Sequence, residues 1–256
     1  MKKPQPRRKL KKKPVIISSL ALISIISFFS IVVLLWPRFD TPNVFHIKIV
    51  EGMRKEEVAH AFGEALGWTA HEKQAFIAEN TEGFLFPTVY DIPAKSKPQE
   101  VSNTITATFT HEVFAKEKTL TATSTNLGKI ISIASIIERE AYSKKDMNII
   151  SGIIWNRLNK GMRLEMDATL QYANGSSTQW WPIVKSEDKQ IDSPFNTYKH
   201  KGLPPTAIAN PSLEAIDAAL HPAKTNALFY IHDNLGFIHT ANTYDQHLAN
   251  ISMYLW

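Results

Sequence analysis

Two carboxylates, Glu138 and Glu140, stand at the end of a strongly apolar stretch running from Ile130 to Ala141. The spacing of its apolar residues predicts a helix over 127–141, and a helix this apolar must be buried. Glu138 falls one turn beyond Ala134 and Ser135 and two turns beyond Ile131, at the edge of the buried face. A carboxyl held there is partly desolvated, which raises its pKa and keeps it protonated near neutral pH. Such a group can act as a general acid, protonating the leaving oxygen of a glycosidic bond. The same residues also fit a solvated helix end in which Arg139 pairs with its neighbours. Glu140 reads as structural, or as a residue that tunes Glu138.

A second group of residues points toward a flat, polar ligand. Tyr172, Trp180, Trp181, Phe195 and Tyr198 fall in a loop-rich region crowded with Asn, Gln, Ser and Thr. Sugar rings present apolar C–H faces with hydroxyl rims, so aromatic platforms beside amides suit them. The alternative is that these aromatics are core, although adjacent Trp180 and Trp181 cannot both point the same way in most conformations. Asp167 is either a second catalytic carboxyl or a loop residue bonding its own backbone. Asn156 and Arg157 close a helix, where they could bind a ligand or satisfy carbonyls. His239 is a candidate for the cleft. No pair among His221, His232, His239 and His247 has the i, i+4 spacing of a helical zinc site, so no metal is expected.

The elements that must position these residues divide the chain. Val44 to Val50 reads as a strand, 54–66 and 69–80 as helices with Gly67 and Thr69 as caps, and the segment leading to Tyr90 as a second strand. This strand–helix–helix–strand order makes a small module over 44–93. A connecting helical segment follows within 94–125. The larger domain, 126–256, opens with the apolar helix and continues with a helix whose start, Ser143 to Asp146, has capping-box spacing. Loops are expected from Met162 to Ala209, then a helix over 212–220, a hairpin around Asp233-Asn234-Leu235, and a final helix over 244–254. The fold class is α+β.

Ahead of all this lies a different kind of segment. Val15 to Trp36 contains no charged residue and is long enough to cross a bilayer as a helix. Residues 1–14 carry eight Lys and Arg and no acid, which predicts a cytoplasmic N-terminus and an extracytoplasmic remainder at the plasma membrane. The run is longer than the core of a cleaved signal and ends without a small-x-small site. Removing those eight cations leaves 21 Lys+Arg against 24 Asp+Glu, so the basic balance belongs to the tail. It suits anionic lipid headgroups and gives no support for nucleic-acid binding. With no cysteine, the chain must be stabilised by its core, and thiol chemistry and cysteine metal sites are excluded. The seven residues 37–43 make a short linker, reaching at most about 25 Å.

Six short motifs occur in order: Ile136-Ile137-Glu138-Arg139-Glu140-Ala141, Asn156-Arg157-Leu158 with Gly161-Met162-Arg163-Leu164, Asp167 to Tyr172, Ser193 to Tyr198, Gly202-Leu203-Pro204-Pro205, and Asn210-Pro211. Together with Glu82 to Tyr90 they resemble the YceG-like family of endolytic murein transglycosylases, over roughly residues 44–250. The resemblance implies a LysM-like module followed by a YceG-like catalytic domain, without cofactor or metal. It implies cleavage of nascent peptidoglycan strands between N-acetylmuramic acid and N-acetylglucosamine, leaving 1,6-anhydro-muramyl ends, in association with peptidoglycan synthases. It puts the catalytic carboxyl on Glu138, with Asn156, Arg157, Asp167, Asn196 and Tyr198 where the pattern wants them. The chain departs from that pattern at Glu165, Ala168, Thr206 and Ala241. A non-catalytic wall-binding scaffold and a hydrolytic muramidase are the alternatives.

Overall fold

In the computed structural model, β1 (Val44–Lys48) and β2 (Val89–Pro93) pair antiparallel, with Phe45 opposite Ile92 and Ile47 opposite Tyr90. The alternation sends Ile47, Tyr90 and Ile92 inward, as a half-buried pair of strands requires. Two helices, α1 (Lys55–Leu66) and α2 (Ala70–Glu79), connect them. Gly67 ends α1 in the left-handed region at φ 69°, and Thr69 opens α2 by accepting from the Glu72 amide at 3.2 Å. Phe62, Trp68, Phe76 and Tyr90 fill the space between helices and strands, joined by Val101 and Ile105 from α3 (Pro98–Lys116). The structure describes residues 43–117, 120 and 126–255. The expected anchor at 15–36 lies outside them, and among the described residues no helix is long and apolar enough to cross a membrane.

The second core is built around α4 (Leu127–Glu140), whose Ile131, Ile133, Ile136 and Ile137 are fully enclosed. Burying one such side chain contributes roughly 1.5–3 kcal/mol. Helices α5 (Lys144–Asn159) and α7 (Leu213–Leu220) pack against α4, contributing Ile150, Ile154 and Ile216. The Ser143 amide donates to Asp146 Oδ2 at 3.0 Å, so the expected capping box starts α5. Between α5 and α7 the chain is mostly irregular, as its composition predicts, with a short helix α6 (Asp167–Asn174) and a 3₁₀ turn at Ser186–Gln190. These two pieces were not legible because their local sequence is polar and short. The hairpin of β3 (Phe229–His232) and β4 (Ile238–Ala241) and helix α8 (Tyr244–Tyr254) complete the chain, so the coarse α+β class holds.

Small residues on α4 fasten the irregular segment that follows the loops. Ser135 Oγ donates to the Ser132 carbonyl at 2.8 Å and accepts from the Ile208 amide at 3.0 Å. A buried amide in an irregular strand needs such a partner. A larger side chain at 135 would push residues 206–212 off the helix.

Candidate active site

At 3.6 residues per turn, Glu138 and Glu140 leave α4 on opposite sides. Glu138 continues the fastening strip begun by Ser135. Its Oε2 accepts from the Ser212 amide at 2.9 Å and the Ser212 hydroxyl at 2.5 Å, while that same hydroxyl oxygen caps α7 by accepting from the Ala215 amide at 3.2 Å. On its other flank sits Gly52, where a Cβ would stand 3.8 Å from Glu138 Cγ. Glu138 therefore ties α4 to the start of α7, and it does not line the cleft that Glu140 enters.

That cleft encloses about 400 Å³. The α4, α5 and α6 segments wall one part of it, and β3, α8 and the 3₁₀ turn the rest, through Phe229, Tyr230, Tyr244, His247 and Lys189. Glu140 Oε1 accepts from the Ala168 amide at 3.1 Å and Oε2 from the Tyr230 hydroxyl at 2.8 Å. Burial pushes the Glu140 carboxyl above its ordinary pKa, and the nearby charge of Asp167 adds to this, while the two donors oppose it. Burial and the Glu140 charge raise the Tyr230 phenol well above its usual range, so it serves as a donor. Asp167, at the start of α6, accepts from the Tyr198 hydroxyl at 2.6 Å. Burial, then this bond to Asp167, likewise push the Tyr198 phenol up. The site thus holds one desolvated carboxyl and one exposed carboxylate, each held by a tyrosine.

Arg157 braces this wall. Its Nε donates to the Leu228 carbonyl at 2.6 Å, and its Nη1 to the Leu164 carbonyl at 2.7 Å and the Arg163 carbonyl at 3.3 Å. Nη1 also meets Glu165 Oε2 at 3.3 Å. The sequence expectations thus separate. Arg157, Asp167 and Tyr198 come together in the cleft with Glu140. Asn156 instead donates to the carbonyls of Thr225 and Ala227, at 2.8 and 3.0 Å. Asn196 is fully buried, donates to the carbonyls of Lys189 and Ile191, and accepts from the Tyr198 amide. Both asparagines therefore satisfy backbone. His239 stacks on Tyr254 at 3.6 Å and bonds Asp233 at 2.9 Å, outside the cleft.

The aromatic loop is also spoken for. Arg54 lies 4.1 Å from the Tyr172 ring centre and 5.5 Å from that of Trp180, and Arg139 lies 3.8 Å from that of Trp181. Trp181 Nε1 donates to Glu57 at 3.1 Å, and the Tyr172 hydroxyl to Glu82 at 3.2 Å. Guanidinium groups occupy the ring faces expected for a sugar, so Tyr172, Trp180 and Trp181 join the first module to the second. Sequence reasoning gave Glu140 only a structural or tuning role, and it did not bring Tyr230, Lys189 and His247 to the cleft. Helical phase distinguishes Glu140 from Glu138 once the docked face of α4 is known, but nothing local marks the others.

Among the described residues, Glu117, Asp217 and His221 come within coordinating reach of one another at the surface. None of them lines the cleft, and Asp217 and His221 already bond each other at 2.8 Å.

Comparison with known proteins agrees with this architecture. The endolytic murein transglycosylase of Bacillus subtilis is 36% identical over 169 residues, which is 65% of this chain and 46% of that protein. The endolytic murein transglycosylase of Streptococcus pneumoniae is 29% identical over 174 residues, 67% of this chain and 32% of that protein. The chain thus spans between about a third and a half of the length of the curated relatives it matches. A crystal structure of a yceG-like protein from Listeria monocytogenes has the same fold, with a TM-score of 0.70 at 24% identity, over 80% of this chain and 75% of that one. The model of the YceG-like family matches residues 25–253, and the chain belongs to that family.

Proposed function

We propose that the protein is an endolytic lytic transglycosylase that cuts peptidoglycan glycan strands, with Glu140 in place of Glu138 as the proton-transferring carboxyl. The observation that carries this reading is the desolvated Glu140 carboxyl in the cleft, fixed by Tyr230 and the Ala168 amide. The relatives named endolytic murein transglycosylases supply the substrate class. In the first step protonated Glu140 gives its proton to the glycosidic oxygen, and the bond from that oxygen to the N-acetylmuramic acid C1 breaks. The ring is left as an oxocarbenium ion, whose charge the Asp167 carboxylate offsets. In the second step the C6 hydroxyl of the same sugar attacks C1 and its proton passes to Glu140. The 1,6-anhydro end forms without water, and the acid returns to its starting state.

The remaining parts of the reading follow from the sequence. Residues 15–36 anchor the protein in the plasma membrane, and 1–14 lie in the cytoplasm. Residues 44–93 act as a LysM-like module, supported by their strand–helix–helix–strand order, and 94–125 connect it to the catalytic domain at 126–256. Anchoring close to the bilayer suits strands still near the synthases that make them. Mass spectrometry of digested peptidoglycan tests the activity. Anhydro ends support a transglycosylase, reducing ends a muramidase in which Asp167 activates water, and uncut strands a scaffold.

A further inference from the structure

Glu165 is the one non-glycine residue among those described with a left-handed backbone, at φ 52°. A side chain with a Cβ adopts that conformation only at a cost, and the cost persists where the surroundings over-determine it. Here they do. The flanking Leu164 and Met166 are buried, the Glu165 amide donates to the Thr197 carbonyl at 3.2 Å, and the Met166 amide to Thr197 Oγ1 at 3.0 Å. Arg163 bridges Lys201 on the other side. The chain must make this turn, and glycine would make it without strain. A glutamate stands there instead, and its side chain lines the same cleft as Glu140 and Asp167.

Two explanations compete. Glu165 could exist to neutralise Arg157, whose side chain is 7% exposed. Yet Arg157 already donates to three backbone carbonyls, and its contact with Glu165 is 3.3 Å long to a side chain that is 43% exposed. With the acid this open to water the pair is screened, and neutralising Arg157 does not by itself call for a strained backbone here. Moreover, only Oε2 meets Arg157, and no donor among the described residues meets Oε1.

We propose that Glu165 is a substrate contact. Its free oxygen accepts a hydrogen bond from a hydroxyl or acetamido N–H of a sugar bound beside the one that Glu140 protonates. It thereby sets the affinity for the glycan, and the strained turn is retained to aim it. This inference rests on the reading of the cleft as a glycan site.

The test uses the full chain in detergent, with Glu140→Gln as a background that blocks turnover. Its probe is a soluble, un-cross-linked oligosaccharide of alternating N-acetylglucosamine and N-acetylmuramic acid, titrated by calorimetry. Adding Glu165→Gly or Glu165→Ala should weaken binding by roughly tenfold or more, the loss expected for a hydrogen bond to a charged group. Glu165→Gln, which keeps an acceptor oxygen, should lose less. The Glu165→Gly protein should melt above the Glu165→Ala protein, because both lose the Arg157 contact but only glycine relieves the strain. Unchanged binding in both the Gly and Ala variants would overturn the proposal, as would weaker binding accompanied by a matching fall in melting temperature. Absence of binding by a folded Glu140→Gln parent would refute the glycan reading itself.

Discussion

Replacing Glu82 by Gln should remove a pH dependence of stability that the wild-type protein carries at the joint between its two cores. Glu82 is 3% exposed and accepts from the Lys55 amide at 3.0 Å, from Asn210 Nδ2 at 3.4 Å and from the Tyr172 hydroxyl at 3.2 Å. Burial, reinforced by the charge of Glu56, pushes its carboxyl up to about 8. The unfolded chain releases this proton near the ordinary value of about 4.3. Between those values the folded state binds one more proton than the unfolded state, so stability falls as pH rises and levels off above about 8. The slope approaches about 1.4 kcal/mol per pH unit, a loss on the order of 2–4 kcal/mol between about pH 5 and pH 8. Glutamine copies the protonated acid in shape. Its oxygen still accepts from Lys55 and Asn210, and its amide can donate to the Tyr172 oxygen once that hydroxyl rotates. Urea unfolding of both proteins at pH 5, 6.5 and 8 measures the effect. Glu82→Gln should match wild type at pH 5 and exceed it at pH 8. Parallel pH profiles for the two proteins would mean that Glu82 does not hold the extra proton of the folded state.

Tyr230→Phe removes a donor that stabilises the charged form of Glu140. It should raise the pKa of the group that controls activity and lower turnover by roughly 10-fold, within the range for positioned proton transfer, as a pH–rate profile would show. Asn196→Ala leaves the Lys189 and Ile191 carbonyls unpaired in a fully buried place. It should cost about 2–4 kcal/mol in denaturant melts, whereas a substrate-contact role would raise KM without that loss. At Gly175 an added Cβ would collide with the Trp180 carbonyl and the Arg54 guanidinium. Gly175→Ala should therefore destabilise by about 1–3 kcal/mol and disturb tryptophan fluorescence.

What the sequence disclosed depended on how local each signal was. The capping box at Ser143–Asp146, the Gly67 cap and the hairpin at Asp233–Leu235 are set by residues a few positions apart, and the structure has each of them. Motifs single out Asp167, Tyr198 and Arg157, and all three line the cleft. By contrast, the choice between Glu138 and Glu140 turns on which face of α4 meets Ser212, a contact spanning 74 positions. The aromatic residues were legible as a cluster but not as a joint, because the arginines that cover them come from distant parts of the chain. Tyr230 and His247 reach the cleft only when β3 and α8 fold back on it, which no spacing in the sequence reveals.

Mass spectrometry of peptidoglycan digested by Glu140→Gln and by Glu138→Gln decides which carboxyl transfers the proton. The Glu140 variant should fold, bind and produce no 1,6-anhydro-muramyl ends. Glu138→Gln keeps an acceptor for Ser212, so it should retain most of that product and lose about 1 kcal/mol of stability. Abundant anhydro ends from a folded Glu140→Gln protein, with none from a folded Glu138→Gln protein, would return the catalytic role to Glu138.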